Sequence, residues 1–521
     1  MRKISQLKVL SAAAITTGWF LSVSAARDDS VTDWNQFTIE ATKGFNGTAG
    51  AGVAFDTNLG ARIDAIEARA VFDAVNAIDH FSSGSYYYSA SISGSPGAAA
   101  AQAAHDVILG ELPNPATDVT ADPRWAQVRT WVDAELVSYL AGLGVSISDG
   151  GLAAGAAAAA AAIAARSIDN SAPVTAYGAQ LTPTSNPGIG LWRQSNAGAP
   201  FVNPATGAPT GFDSTGSVIQ GKPGVDLNWR DVTPFSLTTP QKQLLVQTVP
   251  LSPLVGSAEY NAELAYVQRH GQDSAPLTVR SADQTAQALY YKQDAEIFIN
   301  EAARIASGAR GLSLDRNASL FAVLDNVVAD ARIAAFTSKY EQKFWRPITA
   351  INADPDGSVT NGYVVWHPLA ATPSHPSNTA GHSTTGAAGF EILRAFFGSD
   401  WIGAGGSPVT LGSLSWLAGT NNGTGTASTR SVSTFSQAQL ENGASRLYLG
   451  VHFGFDNLQG QLLGTEIADA IIVRSNDPAA AGLRIKGSAV SLDRLQWTLL
   501  KSPDLYGLFG QDAGFRGAGP N

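Results

Sequence analysis

Residues 313–347 read SLDRNASLFAVLDNVVADARIAAFTSKYEQKFWRP. Leu320, Val323, Leu324, Val327, Val328 and Ala331 recur at three- and four-residue intervals, which predicts a long helix from about Ser313 to Lys343 with one apolar stripe. At its far end Lys339 and Arg346 stand seven residues apart, about two helical turns, so both cations can leave one face roughly 10 Å from each other. Pro347 disfavours helical geometry at Arg346, which sets that guanidinium at a helix end and free to turn inward. Taken alone, the segment reads better as a solvated Lys/Arg face.

Working outward, Gly60 to Asp79 repeats Ile63, Ile66, Ala70, Ala74, Ala77 and Ile78 at helical spacing, with Arg62, Asp64, Glu67 and Arg69 elsewhere around it, an amphipathic pattern. Residues 152–166 are mostly alanine, a good helix former whose small side chain allows close packing. Thr182 to Thr239 is rich in Pro, Gly, Asn and Thr and is expected to be a long ordered excursion anchored by Trp192 and Trp229. Ser281 opens a helix expected to run to about Ala306, where Ser307-Gly308 closes it. Residues 403–432 are expected to form a loop, and 433–449 and 460–474 to be helical. Strand-like alternation is scarce and no repeat of 20–50 residues is present, so the fold class is all-α, built of helical bundles with long ordered loops.

Composition narrows the function. Arg2, Lys3 and Lys8 precede an apolar run that ends in Val23-Ser24-Ala25, the layout of a cleaved secretory leader over residues 1–25, so an exported protein, periplasmic or secreted, is expected. No later stretch offers about 18 uninterrupted apolar residues for a membrane span. A net charge of -10 opposes nucleic-acid binding, which needs a basic face. There is no cysteine and the single methionine is Met1, so no thiol or thioether is left to an oxidant once the leader is removed. Compositional drift under poor sulfur supply explains this as well as life beside an oxidant does. The expected organisation is an amino-terminal helical region with the excursion over 26–270 and a carboxy-terminal bundle over 271–521 that carries the site. The sequence leaves a homo-oligomer open.

Two further segments carry chemistry. In Thr372-Pro-Ser-His375-Pro-Ser-Asn-Thr-Ala380-Gly381-His382 the prolines make an extended entry to a helix expected to include Phe390, Ile392 and Leu393. A helix start presents free N–H groups and partial positive charge, a seat for an anion with His382 at its mouth. In Ser445-Arg446 through His452 to Asp456, the histidine and aspartate are four apart, so the carboxylate can accept one ring N–H and leave the other nitrogen free. Arg446 adds a third cation. Two guanidiniums, an ammonium, an N–H-rich turn and two of the seven histidines share one simple partner, a compact tetrahedral or trigonal-bipyramidal oxyanion, with His452 against its central atom.

Lys339 with Arg346-Pro347, the Gly381-His382 pair, and Ser445-Arg446 followed by His452 and Asp456 together resemble the three-part signature of the vanadium-dependent haloperoxidases and the type 2 phosphatidic acid phosphatases. The match spans about residues 336–458, and weaker likeness extends to Asp33-Trp34-Asn35 and to FDAVNAID (Phe72 to Asp79). The resemblance implies helical bundles with the site at the end of one of them, and vanadate as cofactor. It implies that His452 binds vanadium, that His382 takes a proton from hydrogen peroxide, and that Lys339, Arg346, Arg446 and the Gly381 N–H hold the oxygens, Lys339 also polarising peroxide. The expected partners are hydrogen peroxide, a halide ion and a small organic substrate. His375 falls where related haloperoxidases carry a halide-tuning side chain, and histidine there resembles the bromide users; Phe336, one turn before Lys339, is expected near the same pocket or in the core.

One position departs from the signature: serine usually precedes Gly-His, and here it is Ala380. A lost hydrogen bond to charged oxygen costs on the order of 1–3 kcal/mol, which Thr379 or Ser383 could offset. The same constellation serves a phosphatase in which His452 attacks phosphorus and His382 protonates the leaving alcohol. A retired site that only binds phosphate is a third reading, resting on Ala380.

Overall fold

The computed structural model describes residues 29–172, 189–192, 224–273, 278–353, 366–414, 429–474 and 476–485. The expected leader and most of the tail beyond Asn476 lie outside them. Among the described residues there are 14 helices and one two-stranded sheet. The amino-terminal helices are α1 (Ser30–Thr42), α2 (Thr57–Asp79), α3 (Pro96–Glu111), α4 (Trp125–Leu143) and α5 (Gly150–Arg166). They are followed by α6 (Thr239–Thr248), α7 (Ala258–His270), α8 (Ala282–Tyr290), α9 (Ala295–Gly308), α10 (Leu314–Gln342), α11 (Pro347–Asn352), α12 (Gly381–Phe397), α13 (Phe435–Tyr448) and α14 (Gly454–Arg474).

Helix α10 is the axis of the molecule, packed on α2 on one side and on α12 and α14 on the other. Its six predicted stripe residues, Leu320 to Ala331, are fully buried, each Leu or Val contributing roughly 1.5–3 kcal/mol. The burial continues around the whole helix and takes in Asp325, Asp330, Arg332 and Lys339. Asp330 shows how such charges are satisfied: its carboxylate accepts from the backbone N–H groups of Ser236 at 2.9 Å and Leu237 at 2.8 Å. That ties the end of the excursion to α10, and Trp192 and Trp229 are both buried as anchors.

The alanine-rich α5 lies against α3, and the close approach depends on small residues. A Cβ on Gly155 would sit 2.5 Å from the Ala99 carbonyl oxygen, so a larger side chain would push the helices apart. Helix α2 forms as predicted, but its charged residues are buried rather than solvated. Arg62 bonds Glu111 at 2.6 Å and Asp169 at 2.8 Å, and Arg69 bonds Asn326 at 2.7 Å, so the arginines of α2 are matched by groups outside it. The Asp33-Trp34-Asn35 stretch opens α1, where buried Asn35 accepts from Arg304 at 2.6 Å. The main apolar cluster draws its members from Val31 through Ala480, and a smaller one of Tyr260, Val267, Phe344, Trp345, Phe453 and Phe455 lies apart from it.

Three local expectations are corrected. The helix predicted over 281–306 is two helices, α8 and α9, because Asp294 is extended (φ −60°, ψ 140°) with its carboxylate on Lys43 at 2.7 Å. Residues 403–432 are not all loop: β1 (Val409–Gly412) pairs antiparallel with β2 (Thr429–Val432), with Leu411 and Val432 turned into the core. Helix α14 starts at Gly454, six residues earlier than its pattern suggested, because Glu263 of α7 accepts the Gly454 N–H at 2.6 Å and supplies the cap from outside.

Candidate oxyanion site

The predicted residues gather where α10, α12 and the start of α14 meet. Gly460 and Gly464 on α14 make this junction tight. A Cβ at Gly464 would lie 2.1 Å from the Thr384 carbonyl oxygen, and one at Gly460 would lie 2.8 Å from that of Ala380. The amino terminus of α12 is thereby held beside the segment that carries His452.

Arg346 is fully buried and extended (φ −89°, ψ 157°), as Pro347 requires. Its Nη1 donates to the Val451 carbonyl at 2.7 Å and to His452 Nε2 at 2.9 Å; its Nη2 donates to His375 Nδ1 at 2.9 Å. A guanidinium has no acceptor, so the Nε2 lone pair of His452 faces Arg346 and the ring proton sits on Nδ1. There Nδ1 donates to Asp456 Oδ2 at 3.1 Å, which also accepts from the Phe453 N–H at 3.1 Å and from the Ser377 hydroxyl. His452 itself precedes α14 instead of lying in it, and only Asp456 is on the helix.

Lys339, fully buried in the last turn of α10, donates to the carbonyls of Pro376 at 3.0 Å and Ser377 at 2.9 Å. Gly381 is the first residue of α12, whose cap Ala380 offers no side chain to its free N–H groups. A Cβ at Gly381 would stand 3.8 Å from Lys339 Cε. His382 is partly exposed, with Nε2 donating to the Gln293 carbonyl at 3.1 Å. Arg446, in the last turn of α13, reaches the Tyr291 carbonyl at 3.3 Å, and its buried Nε has no partner. His375 packs on the Phe336 ring, centroids 5.0 Å apart.

Burial sets the electrostatics. It lowers Arg346 to about 10 and, helped by Arg346 and Arg332, lowers Arg446 to about 9. Burial and then Arg346 push Lys339 well below the ordinary ammonium value. His375, His382 and His452 are all driven well below 6.5 by burial and the surrounding cations, so each ring is neutral at physiological pH. Asp456 is raised by burial to about 6 and is ionised above that. The result is a dry pocket of positive charge with a neutral imidazole lone pair inside it, which suits a small polyanion and little else.

Sequence reading missed several contributors. Arg332 on α10 lies beside Gly381, and Glu296 holds it at 2.9 Å while itself accepting from Lys43 at 2.8 Å. Ser377 braces Asp456, and the break between α8 and α9 aims the carbonyls of Tyr291 and Gln293 at Arg446 and His382. The period of 281–306 hid that break; Arg332 carried no local signal. Of the candidates to replace the missing serine, Ser383 packs against α14 at Gly460, and the Thr379 hydroxyl meets that of Thr384 at 3.4 Å.

A family model described as the VCPO second helical-bundle domain matches residues 319–479. The vanadium chloroperoxidase of Curvularia inaequalis is 27% identical over 271 residues, 42% of this chain and 44% of that protein, so the chain matches less than half of that relative's length. Among solved structures, a bacterial vanadium-dependent iodoperoxidase superimposes with a TM-score of 0.60 at 18% identity, over 85% of this chain and 95% of that one. A holo-type bacterial vanadium-dependent chloroperoxidase does so with a TM-score of 0.60 at 16% identity, over 87% of this chain and 98% of that one. These structures share the helical fold, and the family model lies across all three segments of the cage. Over the residues that carry the cage, the chain is therefore similar to the second helical bundle of the vanadium chloroperoxidases, and its fold is that of the bacterial vanadium-dependent haloperoxidases.

Proposed function

We propose that the protein is a vanadate-dependent haloperoxidase that oxidises bromide with hydrogen peroxide, the net reaction being H2O2 + Br⁻ + H⁺ → HOBr + H2O, and that the hypobromous acid then halogenates a small organic nucleophile. The observation that carries the reading is the neutral His452 ring, its Nδ1–H fixed on Asp456 and its Nε2 lone pair aimed among buried cations. Vanadate suits this donor set: the buried Nε of Arg446 has no partner, and the space beside Gly381 is open, a Cβ there meeting nothing nearer than Lys339 Cε at 3.8 Å. His452 would bond the metal through Nε2, with Lys339, Arg346, Arg446 and the Gly381 N–H on the oxygens. When bound, vanadate supplies a Lewis acid that makes peroxide oxygen open to attack by halide.

The chain's own groups handle protons and placement. His382 is neutral and its Nε2–H is engaged by Gln293, so Nδ1 is the atom that takes a proton from hydrogen peroxide. Lys339, fixed by two carbonyls, keeps a third N–H for the reacting oxygen. Bromide is placed beside His375 and Phe336, which line the approach to Arg346. A mature chain without sulfur fits residence beside hypobromous acid, and export from the cell is part of the same proposal.

The test is a phenolic-dye bromination assay on purified protein with vanadate, peroxide and bromide, run with and without vanadate. Colour that depends on vanadate is expected. Hydrolysis of a nitrophenyl phosphate in the absence of vanadate, with no bromination, would identify a phosphatase instead. Failure of both, with phosphate still raising Tm, would identify a binding protein.

A further inference from the structure

We propose that Arg332 is an additional oxyanion ligand of this site and takes the donor place that Ala380 leaves without a hydroxyl. This rests on the oxyanion site proposed above. Arg332 lies seven residues before Lys339 on α10, two turns along the same face, and is 2% exposed. Its Nη1 is 4.0 Å from the point a Gly381 Cβ would occupy, the same point that lies 3.8 Å from Lys339 Cε. The guanidinium therefore stands beside Gly381, the residue that follows Ala380 in the chain.

A purely structural ion pair with Glu296 leaves this geometry unexplained. Arginine meets a carboxylate most strongly through two parallel N–H groups, yet only Nη2 reaches Glu296, at 2.9 Å, and the buried Nε has no partner. Glu296 is already served by Lys43 at 2.8 Å and Thr57 at 3.3 Å. Arg332 is thus held from behind by one N–H, with donors left over in a dry site. Its charge also reaches the cage, adding to the depression of Lys339, His375, His382 and Arg446. The Thr379 hydroxyl meets that of Thr384, and Ser383, whose buried hydroxyl has no partner, has its Cβ on the α14 side, 3.1 Å from the point a Gly460 Cβ would occupy, so Arg332 is the group that stands at Gly381 to compensate.

The experiment measures binding of orthovanadate and of inorganic phosphate by isothermal titration calorimetry to the full chain and to Arg332→Gln, Ala380→Ser and the double variant, with anion-free Tm recorded for each. Arg332→Gln is expected to weaken both anions roughly 10- to 100-fold. Ala380→Ser is expected to restore most of that loss in the Arg332→Gln background but to change the parent affinity less than about threefold, a non-additive pair. Equal affinity of Arg332→Gln and parent, or the same gain from Ala380→Ser in both backgrounds, overturns the proposal while leaving the site intact. Should Arg332→Gln not fold, Ala380→Ser alone decides: a gain of roughly tenfold or more in the parent shows that the donor place was empty. If the parent binds neither anion, the oxyanion site itself is wrong, a distinct result.

Discussion

Asp456 holds the site through one oxygen. Oδ2 collects the His452 Nδ1–H, the Phe453 N–H and the Ser377 hydroxyl, so a single carboxylate fixes the tautomer of the ring and the path of the backbone beside it. Asp456→Ala should free the ring and strand a buried N–H; vanadate affinity, read from activity against vanadate concentration, should fall roughly 10- to 100-fold. Unchanged affinity would show that His452 needs no orienting partner. The His452–Asp456 pair was legible from its four-residue spacing. Ser377 was not, since it lies 79 residues away and only folding brings it there. Arg332 was equally silent, because a charged residue on a helix reads as solvated until its burial is seen.

At the level of elements, periodicity located most helices but not where two of them begin and end. The start of α14 is supplied by Glu263 on α7, and the break between α8 and α9 is fixed by Lys43 at the end of α1, so both signals come from distant sequence. Glu263 has a measurable consequence. Burial raises its carboxyl from 4.5 to about 8, with Asp456 and Glu259 adding repulsion and the Gly454 N–H opposing. Unfolded, it ionises near its ordinary value, so between about pH 4.5 and 8 the folded state holds a proton that the unfolded state lacks. Its contribution to stability is full below that window and is lost as pH rises through 8. Glu263→Gln keeps an oxygen for Gly454 without the titration. Its stability relative to the parent, from denaturant midpoints, should rise from pH 5 to about pH 8 and level off above it; a difference independent of pH would contradict the assignment.

Across the whole molecule the amino-terminal half braces the site from behind. Lys43 joins Asp294 at 2.7 Å and Glu296 at 2.8 Å, and Glu296 holds Arg332. This chain of buried ions links the end of α1 through Glu296 to Arg332 beside the cage. The all-α class and the convergence of three segments were legible in the sequence because the signature spacing is specific. The ionic brace was not, since its members are scattered among amphipathic helices and are matched only in three dimensions. The central claim is that residues 339–346, 381–382 and 446–452 close around one oxyanion with His452 at its core. A crystal structure of the protein with orthovanadate tests it most directly. Vanadium should lie within bonding distance of His452 Nε2, with Lys339, Arg346, Arg446 and the Gly381 N–H on its oxygens and Arg346 Nη1 moved from the ring to the anion. Vanadate bound elsewhere, or Arg346 still on the ring with no anion in the cage at saturating vanadate, would contradict it.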